Sequence, residues 1–140
     1  MARGYPDFEG DKQAVYLQSE FAAKVGTQKT FRARGLNVAW DEYAYVDYAV
    51  PAGKTLYITW MGFEGCATLQ EDADNNQVMG GDIYNHTTGV ALIEQGGNGG
   101  GGLTFPTPPK IVGGDTVRYQ IVPRANHNMD VYGDIGGYEI

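Results

Sequence analysis

A short phrase that occurs twice limits what this 140-residue chain can fold into. Val50-Pro51-Ala52-Gly53-Lys54-Thr55-Leu56-Tyr57-Ile58 returns as Ile111-Val112-Gly113-Gly114-Asp115-Thr116-Val117-Arg118-Tyr119, so Gly53 matches Gly114, Thr55 matches Thr116 and Leu56 matches Val117. Each copy reads as a tight glycine turn feeding an alternating strand. One such corner in each half of the chain is what two packed antiparallel sheets need at equivalent positions, and it points to a jelly roll.

From Leu36 onward the apolar period is two. The predicted inward rows are Leu36, Val38 and Trp40; Ala44, Val46, Tyr48 and Val50; Leu56, Ile58 and Trp60; Val78 with Gly80 or Met79 with Ile83; Val90 with Leu92; Val117, Tyr119 and Ile121; and Met129, Val131 and Ile135. Tyr43, Tyr45, Tyr57 and Tyr132 fall on the opposite, outward faces. Turn signals at Pro51-Ala52-Gly53, His86-Thr87-Thr88-Gly89, Gly113-Gly114-Asp115 and Ala125-Asn126-His127-Asn128 separate the rows. The expected fold is all-β, an eight-stranded antiparallel jelly-roll sandwich over residues 35–140.

Residues 1–34 read as an N-terminal arm. Ala14, Val15, Leu17, Phe21, Ala22 and Val25 recur at spacings of three and four, which predicts a short amphipathic helix that Gly26 can end. Such a helix is too short to stand alone, so its apolar face must rest on the sandwich or on a neighbouring molecule.

Charge narrows the partners. The first 34 residues carry six bases and four acids, whereas the rest carries four bases and thirteen acids within an overall charge of −7. An acidic body repels phosphate backbones, so nucleic acid is not expected as a partner. No apolar run approaches the ~18 residues of a membrane helix, and no membrane partner is expected. A single cysteine, Cys66, permits no internal disulfide, and the start MARGYPDFEGD lacks a signal-peptide profile. Synthesis and folding in a host cytoplasm are expected.

Motifs that mimic chemistry fail on inspection. The run Gly96-Gly97-Asn98-Gly99-Gly100-Gly101-Gly102 leads into strand-like Leu103-Thr104-Phe105, whereas a phosphate cradle needs a following helix N-terminus. The run instead predicts a loop, or a stretch where neighbouring backbone excludes side chains. Gly53-Lys54-Thr55 lacks the glycine a phosphate loop places five residues earlier, where Tyr48 stands. Asp72, Asp74 and Asn76 copy the first ligands of a calcium loop, but Gln77 replaces its glycine and Ile83 its closing Glu. His86 and His127 are far apart in sequence, and neither is near Cys66. Asp130 and Asp134 share a strand face, with Asp82 as a third candidate, yet seventeen acidic residues make such a pairing expected by chance. The reading therefore assigns no catalytic, cofactor or metal residue and expects no enzyme. Outward tyrosines offer rigid amphipathic contact area, so the candidate interface comprises Tyr43, Tyr45 and Tyr57 with Val15, Leu17 and Phe21 of the arm.

The phrase at Val50 to Ile58, its return at Gly113-Gly114-Asp115-Thr116-Val117 and the terminal Gly137-Tyr138-Glu139-Ile140 resemble small jelly-roll virion proteins of tailed phages, of the capsid decoration (cement) type. The likeness covers Leu36 to Ile140. It implies a homotrimer on a capsid surface that staples neighbouring subunits non-covalently, with the major capsid protein or another virion subunit as partner and no catalytic residue. Two alternatives stand beside it: a receptor- or carbohydrate-binding module with Trp or Tyr platforms, and a subunit of an extracellular filament.

Overall fold

A computed structural model describes residues 26–40, 42–72 and 77–140. Nine strands follow in order: β1 (Thr27–Val38), β2 (Ala44–Ala49), β3 (Thr55–Ala67), β4 (Val78–Asn85), β5 (Val90–Asn98), β6 (Gly100–Thr104), β7 (Lys110–Val112), β8 (Thr116–Pro123) and β9 (Met129–Glu139). With the three-residue β7 set aside, the antiparallel pairs β4–β5, β3–β6, β2–β8 and β1–β9 are nested as in one long hairpin. Rolling that hairpin brings β9 onto β3 and β8 onto β4, giving sheets ordered β1-β9-β3-β6 and β2-β8-β4-β5. This is the expected eight-stranded jelly roll, with β7 added against the start of β3.

The repeated phrase forms two matching corners. Lys54 N–H donates to Pro51 O at 3.0 Å and Asp115 N–H to Val112 O at 3.1 Å, while Gly53 (φ 78°) and Gly114 (φ 94°) take the left-handed backbone that each turn requires. One corner feeds β3 and the other feeds β8, in opposite sheets. They also lie side by side, because Gly114 N–H donates to Val50 O and Val50 N–H to Asp115 O, both at 2.9 Å. Beyond them the predicted partners Leu56 with Val117 and Ile58 with Tyr119 all point into the core. Each such buried aliphatic side chain contributes about 2 kcal/mol of transfer free energy.

Two bulges overturn parts of the predicted alternation. In β1 the register shifts between Gly35 and Val38, where Asn37 adopts φ 55° and its N–H is held by Asp130 Oδ1 at 2.7 Å. The bulge puts Leu36 and Val38 on opposite faces: Val38 turns inward and is buried, Leu36 keeps the outward side of Arg32 and Arg34, and Trp40 lies beyond the strand's end, so Leu36 and Trp40, both expected inside, are exposed. In β3 the shift between Ile58 and Trp60 moves Trp60 to the outer face and puts Met61 and Phe63 into the core. Val90, also expected inside, is exposed at the start of edge strand β5.

Strand β1 begins at Thr27, so residues 27–34 belong to the sheet although the sequence groups them with the arm. Three of the arm's six bases sit there: Lys29 pairs with Glu139 at 3.5 Å, Arg32 with Asp134, and Arg34 lies over the Tyr132 ring at 5.3 Å. Tyr48 donates to Glu139 Oε2 at 2.6 Å and stacks on Phe31, which closes the β1–β2 side of the sandwich. The predicted helix lies outside the described residues. Among the described residues no helix is long and apolar enough to cross a membrane.

Candidate functional site

Jelly-roll topology gathers four connections at one end of the sandwich: those of β1–β2, β3–β4, β5–β6 and β8–β9. Backbone bonds tie the last three together, and side-chain bonds of Asn37 with Asp130 and Asn128 hold the β1–β2 connection to them. Thr68 N–H donates to Asn128 O, Gly99 N–H to Gln77 O, and Arg124 N–H to Val78 O. Of the eight exposed large hydrophobic residues among those described, five lie at or beside this end: Leu36 (59%), Trp40 (61%), Tyr43 (46%), Tyr45 (52%) and Leu69 (55%). Single exposed apolar side chains are ordinary, and five at one end of the sandwich make that end the candidate contact surface.

The tyrosines of this cluster are fixed from below. Tyr45 and Tyr43 lie 5.7 Å apart by ring centroid, the Arg118 guanidinium sits 4.2 Å from the Tyr45 ring, and two 2.7 Å hydrogen bonds lock Arg118 to Asp47. That arginine holds the Asp47 carboxyl below the usual carboxylate range. A ring held this way loses little entropy on binding, which favours contact.

Of the six predicted interface residues, the three that are described, Tyr43, Tyr45 and Tyr57, do not share one surface. Tyr43 and Tyr45 belong to the loop end and the outer face of β2. Tyr57 is half-buried on the outer face of β3, opposite Tyr138 and Lys110 and toward the other end. Val15, Leu17 and Phe21 lie outside the described residues. Leu36 and Trp40 were missed because strict alternation assigned them to the core; the sole sequence hint was Gly35 followed by Asn37, residues suited to a bulge.

The carboxylates take separate structural tasks. Asp134 accepts two bonds from Arg32 at 2.8 and 3.0 Å, and Asp130 caps the Asn37 bulge. Four residues of strand separate them by about 13 Å, beyond the roughly 5–10 Å of a glycosidase pair. Asp82 belongs to the other sheet. Of the calcium-like triad only Asp72 lies within the described residues. The glycine run crosses from β5 to β6, that is, from one sheet to the other. A Cβ on Gly100 would stand 2.6 Å from Phe63 O, and one on Gly101 2.8 Å from the Phe63 ring, so close backbone approach accounts for both glycines.

Asp82 is the buried acid of the described structure whose Oδ1 has no hydrogen-bond partner, with Arg124 Nη2 at 3.5 Å. Burial pushes its carboxyl above the usual range; Arg124 and Gln120 pull it back in part, and Glu94 adds to the rise. A raised carboxyl stabilises the fold below its unfolded value and loses that contribution as pH rises through the folded value. Asp82→Asn is therefore expected to gain stability relative to the parent as pH goes from 4 to 7, measured as the difference in urea midpoints; a pH-independent difference refutes this.

No protein-family model and no curated protein sequence matches the chain. Among solved structures it is similar to the Drosophila NLP-core, described for pentamer formation and histone binding, at 14% identity over 81% of this chain and 97% of that one, with a TM-score of 0.42. It is similar to the Yersinia pseudotuberculosis-derived mitogen at 5% identity over 81% and 87%, TM-score 0.41. A chain of the T13 IBDV viral particle matches at 11% identity over 81% and 32%, TM-score 0.35. Overlaps this loose leave function to be argued from the surfaces of the chain itself.

Proposed function

We propose that the chain is a structural virion protein of the decoration or cement kind, a homotrimer that joins neighbouring subunits of a shell non-covalently. The loop end is its grip. The observation that carries this reading is the concentration of exposed Leu36, Trp40, Tyr43, Tyr45 and Leu69 on one tied set of loops, an apolar surface of the kind that partner proteins cover. Modest contacts suffice when a trimer engages a lattice, because after the first subunit docks the others bind at high effective concentration.

The test is add-back to purified shells of the virus that carries the protein, stripped of it. The parent should rebind as a trimer by mass in solution, and the double variant Leu36→Asp, Trp40→Asp should bind at least tenfold more weakly. Both positions are exposed, so the variant's melting temperature should stay within a few degrees of the parent. Absence of the protein from particles, or equal binding by the variant, sinks the reading.

A further inference from the structure

The outer face of the β1-β9-β3-β6 sheet carries a groove of about 650 Å³, within the range of small-ligand sites. Its hollow comes from Gly62. Outward positions on β3 run Trp60, Gly62, Glu64, and a Cβ at Gly62 would meet no atom closer than Gly101 O at 4.0 Å, so a one-residue gap opens between an indole and a carboxylate.

Neighbouring strands complete the walls by register. Gly62 lies opposite Asp134, which lies opposite Arg32; Glu64 lies opposite Tyr132, which lies opposite Arg34. Trp60 lies opposite Gly136, where a Cβ would stand 2.6 Å from indole Cζ2, so the missing side chain seats the ring on β9. Trp60 and Tyr132 therefore mark two ends of a trough about 13 Å long on rigid strands. Between them Arg32 is locked to Asp134, and Arg34 is stacked on Tyr132.

The charges decide the ligand class. Arg32 and Arg34 balance Glu64 and Asp134, so the groove has no net field to select a polyanion or polycation. Its floor is a sheet face with its backbone already paired, which offers nothing to an added peptide strand. What remains is the Trp60 ring and the Tyr132 ring, one face of which Arg34 covers, separated by dense hydrogen-bonding groups of both polarities. A neutral oligosaccharide presents the complement, with apolar C–H faces for the rings and hydroxyls that both donate and accept. We propose that this groove binds a neutral di- or trisaccharide, with Trp60 and Tyr132 as stacking platforms and Arg34, Glu64 and Asp134 as hydroxyl partners. The groove is distinct from the loop end, although its Arg34 end lies beside Leu36, two residues on along the same face of β1.

The chain has two tryptophans, which makes the test direct. In a Trp40→Phe background Trp60 is the sole indole, and its fluorescence is followed while the full chain is titrated with maltotriose, cellotriose, chitotriose, xylotriose and, as the acidic comparator, sialyllactose. An array of neutral glycans is probed in parallel. Saturable binding of a neutral glycan is expected, weakened at least tenfold by Tyr132→Ala in the titrations and by Trp60→Ala, which has no indole to report and is read on the array, with Arg34→Ala as a third, exposed variant should the others fail to fold. A blank array and flat titrations, binding to sialyllactose alone, or binding that survives all folded variants overturns the proposal. Shell binding in the loop-end assay is expected to be unchanged by Tyr132→Ala; loss of shell binding instead would make the groove a protein contact and also overturn it.

Discussion

Gly137→Ala should destabilise the protein by about 3 kcal/mol or more, a large share of the 5–15 kcal/mol that typical domains possess. A Cβ at this position would run into the Tyr57 carbonyl oxygen and stand 2.9 Å from Ile58 Cα. Both are backbone atoms of the central strand, and neither can rotate aside. Relief requires β9 to part from β3, along a pairing that runs from Leu56 to Ala67. Gly96→Ala is the control: its Cβ would meet Met79 O at 3.8 Å, ordinary contact, and the expected change is within about 0.5 kcal/mol. Urea midpoints of both variants against the parent decide the matter. A Gly137→Ala protein within 1 kcal/mol of the parent would show that the strands do not approach as described.

That glycine also explains where sequence reasoning stopped. The duplicated corner and the strict alternation of Val117, Tyr119 and Ile121 were legible because turn chemistry and period-two burial are local properties, and β8 keeps one register throughout. Bulges are not local. Whether Trp60 or Met61 enters the core depends on one extra residue in β3, which is tolerated because β9 supplies Gly136 and Gly137 directly opposite. The sequence displays the two glycines but not their partner strand. The same holds for Leu36, which lies outward with Arg32 and Arg34 while a bulge that Asp130 caps from 93 residues away turns Val38 inward.

The candidate surfaces were half legible for the same reason. Tyr43 and Tyr45 alternate cleanly against Ala44 and Val46, so their outward direction followed from period alone. Their support by Arg118 and Asp47 did not, since that pair joins β2 to β8 across 71 residues. The groove was invisible in one dimension. Trp60 reads as core, and Arg32 and Arg34 read as part of an arm. Only the register of three strands assembles them on one face.

Tyr119→Ala is the second large effect, expected at about 4 kcal/mol, because a fully buried ring leaves a cavity that paired sheets cannot collapse to fill. Tyr119 stands on β8, yet its hydroxyl donates to Gly62 O of β3 at 2.8 Å and so bonds one sheet to the other through the core. Gly133 makes the bond possible, since a Cβ there would meet the hydroxyl and stand 2.7 Å from Ile121 Cδ1. Tyr119→Phe keeps the ring and drops the bond, so it should cost only about 1 kcal/mol at neutral pH. The two variants separate packing from hydrogen bonding. Burial pushes the phenol above its ordinary value of 10, so the folded protein holds the proton after the unfolded chain begins to lose it. Stability from this group is therefore intact below pH 10 and falls as pH climbs above it. The parent should lose its advantage over Tyr119→Phe in that range, read as converging urea midpoints. Midpoints that stay equally spaced from pH 8 to pH 11 would mean the hydroxyl is not buried against Gly62, and the cross-sheet bond would have to be abandoned.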